Sequence, residues 1–500
     1  MSMLKKNSKE HEKTETQVDA TASRQDASVV KDEERYLIEG KLSTGLWRFA
    51  VPYMIAYLLQ ALYGAVDLLI VGQFCDQTAI AAVGVGAQIL HSALGLILGL
   101  SAGATVLIGY NVGAKDSRGV AHALGSTAFL FAVLALVITP LAACLTNTIV
   151  SLMQTPEEAV AHTRDYVFVC ACGAPFIIGY NVLGAIYRGF GDSKTPTYFV
   201  AIACVINVIG DLALVAGCRM GPLGAALATI LAQATSFLWA LYYMRRKRFS
   251  FEFHRGDLIP RRHDLKEIVK VGAPMALQDV LTSLSFLVIQ AIINLMGVSA
   301  AAGMGVVERI IGFMFIPPVA FSLAVATASA QNFGARQPQR ALRAVGLGVC
   351  FSMVFAACFL VLCQTYPEKT AQIFAKDLNV IDQAAQYLRS FSLDLLCVCL
   401  VFNINGFFIG SGRALVVMTH SSLAAILARI PLSYLFSQGP KASMRQVGYA
   451  APLASVFSIV FCVIYLLWLH ARGKLGVATL TDDEHNPNAN PQPQMEGETV

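Results

Sequence analysis

Gln60, Tyr63 and Asp67 follow one another at spacings of three and four residues, and Asn207 precedes Asp211 by four, so on helices each set shares one face. Both sets lie inside long apolar runs. An ionised acid at the middle of a bilayer costs at least ~2.5–3.5 kcal/mol on insertion scales, so two without a use in one chain half would be selected against. Desolvation penalises the ionised carboxylate, and a second carboxylate nearby penalises it further, so such a pair takes up a cation readily. A proton, a sodium ion and an organic ammonium compete for that charge. Competition is a coupling free energy that acts equally in both directions, which for transport means antiport. Gln88 and Asn181 join Gln60 and Tyr63 as polar residues inside apolar segments and as candidates for lining a substrate pathway.

The elements that must position these groups are membrane helices. Of 500 residues, 56% are hydrophobic and 14% charged, against ~45–50% and ~25% in soluble domains. Mean hydropathy is +0.59. Twelve apolar segments are long enough to cross a ~30 Å hydrocarbon core: Leu46–Val71, Ile80–Tyr110, Ala121–Leu145, Tyr166–Tyr187, Phe199–Ala216, Leu223–Tyr243, Ile268–Met296, Ala301–Ser329, Ala341–Cys363, Leu393–Ile409, Val416–Phe436 and Tyr449–Leu469. They are continuously apolar where a barrel strand would alternate, so an all-α integral membrane fold is expected. Loops after even-numbered segments hold sixteen Lys and Arg, against six in the opposite set. The positive-inside rule then places both termini in the cytoplasm of a multi-pass cell-membrane protein. Half of the sixteen lie in one loop that includes Arg245, Arg246, Lys247 and Arg248. That topology explains the net charge of +5 without nucleic acid as a partner. The polar composition of residues 1–44 and 472–500 reads as disordered cytoplasmic tails. Nearly all of the twelve cysteines fall in apolar segments, where they act as small hydrophobes.

The chain is a tandem duplication. Asn111-Val-Gly113-Ala-Lys115 recurs 221 residues later as Asn332-Phe-Gly334-Ala-Arg336, and the same shift pairs Gly84 with Gly305, Ser101 with Ser322, Gly125 with Gly346, Gly189 with Gly410 and Gly191 with Gly412. Six crossings per repeat is an even number, so two six-helix bundles should be related by a pseudo-two-fold along the membrane normal. The expected division is a first lobe over 45–244, a basic cytoplasmic linker over 245–266 and a second lobe over 267–471. The acids do not repeat: the counterpart of Asp211 is Leu432, and the region matching Asp67 around Val288–Gln290 has none.

With these motifs on the page, the chain resembles the multidrug and toxic compound extrusion (MATE) family along essentially all of Leu46–Leu469. The likeness is carried by Pro52 with Asp67-Leu-Leu-Ile-Val-Gly72, by Gly103 to Gly113-Ala-Lys115-Asp116, by Arg188-Gly-Phe-Gly191-Asp192, and by Gly221-Pro-Leu-Gly224 to Thr229. The resemblance implies that Asp67 governs cation coupling and that Asn207, Asp211 and Thr229 complete a cation site in the first lobe. One departure is that some members carry a Glu midway along the seventh helix, where Thr282–Ser285 here is uncharged. The second lobe does hold Asp279, Glu308, Arg309, Asp394 and Arg429, expected to pair with one another or lie at an interface. His91 reads as a packed histidine.

Other patterns carry no chemistry. Gly99-Leu-Ser101-Ala-Gly103 fits a hydrolase nucleophile motif but lies within a membrane helix, where small residues serve close packing. Gly189-Phe-Gly191 lacks the third glycine and the lysine of a phosphate loop. The expected function is a monomeric secondary transporter and not an enzyme, without cofactor and coupled to H+ or Na+. It would export small amphipathic, often cationic compounds by alternating access and contact membrane lipid around its belt. The alternative is a lipid-linked oligosaccharide flippase of related architecture, which would want basic residues lining the cavity for a pyrophosphate head group.

Overall fold

A computed structural model describes residues 36–153, 155–246, 254–439 and 442–480. Within them the chain is helical, with no strand. The elements are α1 (Leu42–Phe74), α2 (Gln77–Gly113), α3 (Ser117–Leu152), α4 (Val160–Cys172), α5 (Ala174–Gly189), α6 (Lys194–Asp211), α7 (Gly221–Arg246), α8 (Arg262–Asn294), α9 (Val298–Met314), α10 (Ile316–Gly334), α11 (Pro338–Thr365), α12 (Pro367–Gln372), α13 (Leu378–Phe391), α14 (Asp394–Gly410), α15 (Ala414–Ala424), α16 (Ile430–Phe436), α17 (Met444–Gly448) and α18 (Ala450–Ala471). Two π-helical stretches, Leu212–Gly217 and Ala425–Arg429, continue α6 and α15. Nine helices are long and apolar enough to cross a membrane, or twelve if each of three bent pairs is one span. Aspartates cap the tight connections: Asp76 accepts from the N–H of Ala79 and Asp116 from that of Gly119, each at 2.9 Å.

Three helix pairs are bent, by 54° between α4 and α5, 41° between α9 and α10, and 52° between α13 and α14, and the first two bends fall inside segments expected as continuous helices. Pro175 and the Pro317-Pro318 pair open α5 and α10, where a missing N–H is tolerated. The third break has no proline. There the Gln364 side chain donates to the Arg389 carbonyl at 2.6 Å and the Ser392 hydroxyl at 2.9 Å, satisfying groups that the break releases.

The duplication is visible in the backbone itself. Lys115 and Arg336 both take left-handed conformations, with φ of 59° and 57°, and so do Gly191 and Gly412 at 88° and 83°. The amide of Asp116 donates to Asn111 O at 3.0 Å, as that of Gln337 donates to Asn332 O at 2.7 Å. The halves meet through this symmetry. A Cβ on Gly113 would overlap the carbonyl oxygen of Gln331, and one on Gly334 would overlap that of Tyr110, its counterpart. α2 and α10 therefore cross backbone to backbone. Gln331 Nε2 adds a bond to Gly189 O at 3.0 Å. Along α2, Gly99 lies against the backbone of Ala276 and Gly103 against Ile268 O, so the Gly-x-Ser-x-Gly run packs α2 on α8, as its small residues led us to expect.

The expected tails are partly structured. Leu37 is fully buried, its carbonyl accepts from Asn332 Nδ2 at 3.1 Å, Gly40 O accepts from Arg340 at 2.9 Å, and Tyr36 donates to Gly191 O. At the other terminus, Arg413 donates to the carbonyls of Lys474 and Val477, and Thr479 N to Ser411 O at 3.0 Å. Leu480 is buried among Val106, Val271, Ala330 and Ala414, which belong to both halves. The expected disorder of 36–44 and 472–480 is thus corrected: hydrogen bonds to exposed carbonyls and one anchoring leucine hold segments whose polar composition hid them. Trp47 on α1 packs edge-on against Phe321 of α10 at 5.2 Å, so the start of the first lobe lies on the second. In the linker, Lys247 and Arg248 fall outside the described residues, but Asp257 is seated on α3, 3.6 Å from His122. A hydrogen bond from the His254 amide holds its carboxyl below the usual carboxylate range against the opposing effect of burial, with further help from His122, His254 and Arg118.

The crossing gives a paired prediction. Gly113→Ala and Gly334→Ala should each destabilise the purified protein by roughly 1–3 kcal/mol through overpacking. Gly84 and Gly305 have nothing within 4 Å of an added Cβ, so Ala there should be neutral or stabilising by up to about 1 kcal/mol. Thermal unfolding in detergent reads the difference, and equal effects in the two pairs would rule out the backbone crossing.

Candidate functional site

Close approach of α6 and α7 builds the site. A Cβ on Gly210 would lie 2.9 Å from that of Ala228, so the glycine lets these helices touch beside Asp211 and Thr229. Asp211 ends α6 and is 0% exposed; Asn207, one turn earlier, is 1% exposed and donates from Nδ2 to Thr229 Oγ1 of α7 at 3.3 Å. Directly after Asp211 the chain enters the π-helical stretch, where Cys218 N bonds to Ala213 O at 2.9 Å. Such irregular turns recur at functional sites. Asp67 comes from the C-terminal half of α1, is 5% exposed, and lies within electrostatic range of Asp211, Tyr63, Tyr166 and Cys170. Ile70, Val83, Val150, Val167, Val215 and Ala226 pack with Tyr166 and Cys170 in one buried apolar cluster.

All four residues of the expected cation site are therefore together and buried. Asp67 Oδ1, both oxygens of Asp211, Asn207 Oδ1 and Gln233 Oε1 have no hydrogen-bond partner among the described residues. Buried polar atoms are ordinarily satisfied, so these five oxygens make their residues candidates for holding a cation. Oxygen-only ligation suits a proton or a hard cation such as sodium and offers nothing to a soft metal.

The pathway candidates divide. Tyr63 is half-buried and near Gln233, and Gln60 reaches the hydroxyl of Tyr180 on α5, which puts both on the α1 stripe leading to Asp67. Asn181 instead donates to Ile177 O of its own helix at 2.8 Å. Gln88 is exposed on α2. His91, expected to be packed, is exposed as well.

Two residues escaped the sequence reading. Gln233 follows Thr229 by four positions and so shares its face of α7, a signal that periodicity offers. Tyr166 is 2% exposed and lies against Gly86 of α2, and nothing in its sequence neighbourhood distinguishes it from any other core aromatic.

In the second half the charges behave differently from one another. Asp394 is 1% exposed, with Arg429, Ser455 and Tyr387 around it, but no ion pair joins it to Arg429 among the described residues, and Asp394 Oδ1 and Arg429 Nε are unpartnered. In place of the expected mutual pairing, the Arg429 guanidinium lies over the ring of Phe286, 5.6 Å from its centroid. Glu308 and Arg309 are exposed. Asp279 of α8 faces the other half, against Gly95 of α2 and near Tyr57 of α1.

Comparison with known proteins agrees with this architecture. The chain is 26% identical over 437 residues to the "Probable multidrug resistance protein YpnP" of Bacillus subtilis (strain 168), covering 87% of this chain and 97% of the relative. It is 26% identical over 397 residues to the "Probable multidrug resistance protein NorM" of Thermotoga maritima, covering 78% and 84%. A solved structure described as the "Outward-facing conformation of a multidrug resistance MATE family transporter of the MOP superfamily" superposes with a TM-score of 0.81 at 22% identity, over 88% of this chain and 98% of that one. The MatE family profile matches twice, at residues 52–212 and 274–435, once in each repeat and across more than half of the chain. The chain belongs to the MatE family of membrane transporters.

Proposed function

We propose that the protein is a cation-coupled antiporter that exports small amphipathic, often cationic compounds across the cell membrane. The observation that carries this reading is the pair of buried carboxylates, Asp67 and Asp211, in range of each other and short of partners, present in one half of a duplicated scaffold and absent from the other. The names of the relatives, multidrug resistance proteins, support drugs as the cargo.

In this reading the three bent pairs count as single spans, giving twelve crossings in two six-helix bundles with both termini in the cytoplasm. The α2–α10 crossing closes the cytoplasmic side, and rocking of one bundle against the other opens the cavity to each side in turn. Asp67 and Asp211 hold one neutralising charge at a time. When the cavity faces outward, H+ or Na+ displaces the cargo, and when it faces inward the ion leaves and a new organic cation enters. Asn207 and Thr229 fix the position of the ion through their mutual hydrogen bond, and Gln233 adds an oxygen. A pyrophosphate flippase would need a basic lining, whereas the deepest charges of this site are acidic.

Everted vesicles with imposed proton or sodium gradients test this reading. Asp67→Asn removes a charge at nearly constant volume and should cut gradient-driven dye efflux at least about tenfold, inside the 5–150-fold span of ordinary coupling energies, while the protein still inserts and folds. Full efflux by the purified, reconstituted mutant would end the role of Asp67. Asp211→Asn acts on the same step, so the double mutant should be no worse than the more severe single one, and additive losses would mean two independent sites.

The ion should also appear at equilibrium. Binding of a monocationic dye to purified protein should weaken as pH falls, because protonation removes the negative partner, and a neutral dye of the same shape should respond less. In Asp67→Asn that pH dependence should flatten; an unchanged profile would place the proton elsewhere, with Asp394 next in line. Thr229→Val should leave the pH profile in place and weaken any competition by sodium, since it deletes only a neutral oxygen.

A further inference from the structure

The segment 474–480, which follows α18, is held by hydrogen bonds that all come from one half of the molecule. Arg413 donates to Lys474 O at 3.0 Å and also to Val477 O. Ser411 O accepts from the amide of Thr479 at 3.0 Å and from its hydroxyl at 3.3 Å. Lys270 of α8, itself paired with Glu267 at 3.1 Å, donates to Thr479 O. Arg413, Ser411 and Lys270 all belong to the second half. Gly412, at φ 83°, lets the segment lie flat on the loop between α14 and α15, because a Cβ there would stand 2.8 Å from Thr479 Oγ1 and 2.9 Å from Leu480 Cγ. The tip of the segment behaves differently from this stem. Leu480 is fully buried in a small apolar cluster with Val271 of α8, Ala330 of α10 and Ala414 of α15, and with Val106 of α2, which belongs to the first half. Ala330 adjoins Gln331, whose carbonyl meets Gly113, and Val106 lies two turns before Gly113. The leucine is therefore seated beside the crossing, where the halves touch.

A stem bonded to one half and an apolar tip packed against both respond differently when the halves part. The hydrogen bonds of the stem can persist, whereas the packing of the tip cannot. We propose that residues 474–480 are a latch on the cytoplasmic gate: Leu480 sits between Val106 and the second half while that gate is closed, and withdraws with the second half when it opens. The latch rests on the alternating-access reading above and adds to it an element that sets how often the gate opens. Burial of a leucine side chain favours the closed state on the order of tenfold or more. When the binding-competent state is a minor one, apparent affinity falls by the fraction of molecules in that state. A weaker latch thus makes cargo bind better from the cytoplasm. A packing defect that merely loosened the protein would not improve binding.

Everted vesicles, which present the cytoplasmic face, test the energetic claim. Leu480→Ala should lower the half-saturating concentration of a monocationic dye about three- to tenfold. Leu480→Met, which refills the cluster at similar volume, should stay within about twofold of wild type. An unchanged or raised half-saturating concentration in Leu480→Ala would overturn the latch. Paired cysteines test the motion in the full chain, with its twelve native cysteines replaced by alanine. A disulfide joining Val106→Cys to Leu480→Cys should abolish efflux until it is reduced. It should also slow hydrogen exchange of the Asp116 and Gln337 amides, which are bonded to Asn111 O and Asn332 O at the crossing. A disulfide joining Ala414→Cys to Leu480→Cys stays within the second half and should leave both readouts unchanged. Efflux and exchange that persist across the Val106 disulfide, or that the Ala414 disulfide suppresses equally, would show that Leu480 does not part from α2 alone. Exchange needs no transport, so a chain that moved no dye yet showed this pattern would lose the export reading and keep the latch. Full gradient-driven efflux by Asp67→Asn, in turn, speaks against the coupling reading alone.

Discussion

The structure depends on two hydrogen atoms. Because Gly113 and Gly334 carry no Cβ, α2 and α10 cross with each backbone against the carbonyl of the other's counterpart residue, Gln331 for one and Tyr110 for the other. Both helices must then leave the crossing at once, and they do so through left-handed Lys115 and Arg336, a conformation that costs a non-glycine residue roughly 1–2 kcal/mol. Strain of that kind persists only where the surroundings enforce it. The enforcement is the crossing itself, together with the amide bonds to Asn111 O and Asn332 O and the Gln331 bond to Gly189 O. Everything else is arranged around this pivot: the straps at Leu37 and Leu480 lie across it, and the tyrosines of α1 stand above it.

On this symmetric frame the chemistry is asymmetric. At the repeat offset Asp211 meets Leu432, Asn207 meets Ala428, Thr229 meets Ala450 and Asp67 meets Val288, so each member of the first-half site has an apolar counterpart. The reverse holds for Asp394, whose counterpart is Gly173, the hinge between α4 and α5. Backbone features survived duplication where side chains did not. The bends near Gly173 and Asp394 correspond, whereas the two π-helical stretches fall at different repeat positions, Leu212–Gly217 matching 433–438 and not Ala425–Arg429. The α9–α10 bend, by contrast, has no counterpart, since the matching residue Leu94 lies inside the unbroken α2.

That distinction also explains what the sequence could disclose. Apolar runs, the 221-residue repeat and the lone acids of α1 and α6 are local or periodic signals, while Thr229 entered through the family resemblance, and all four residues are buried. The bends were hidden because hydropathy does not fall where α4 gives way to α5; the turn is set by the close seating of Gly173 against Ile230 of α7, a tertiary fact. The structured parts of the termini were hidden because hydrogen bonds to backbone carbonyls, such as those from Arg340 and Arg413, leave no mark in composition.

A protein built only for stability would have let these charges find one another. Asp67, Asp211, Asp279 and Arg188 include both signs, and yet none forms an ion pair among the described residues. Burial without pairing costs free energy unless something else supplies the missing charge. Had Asp211 found a lysine, the cavity would be satisfied from within, and neither ion nor cargo could gain by entering. A ligand shifts a conformational equilibrium only by its differential affinity for the two states. In the proposed antiport, that energetic deficit is what a mobile cation would relieve on entering.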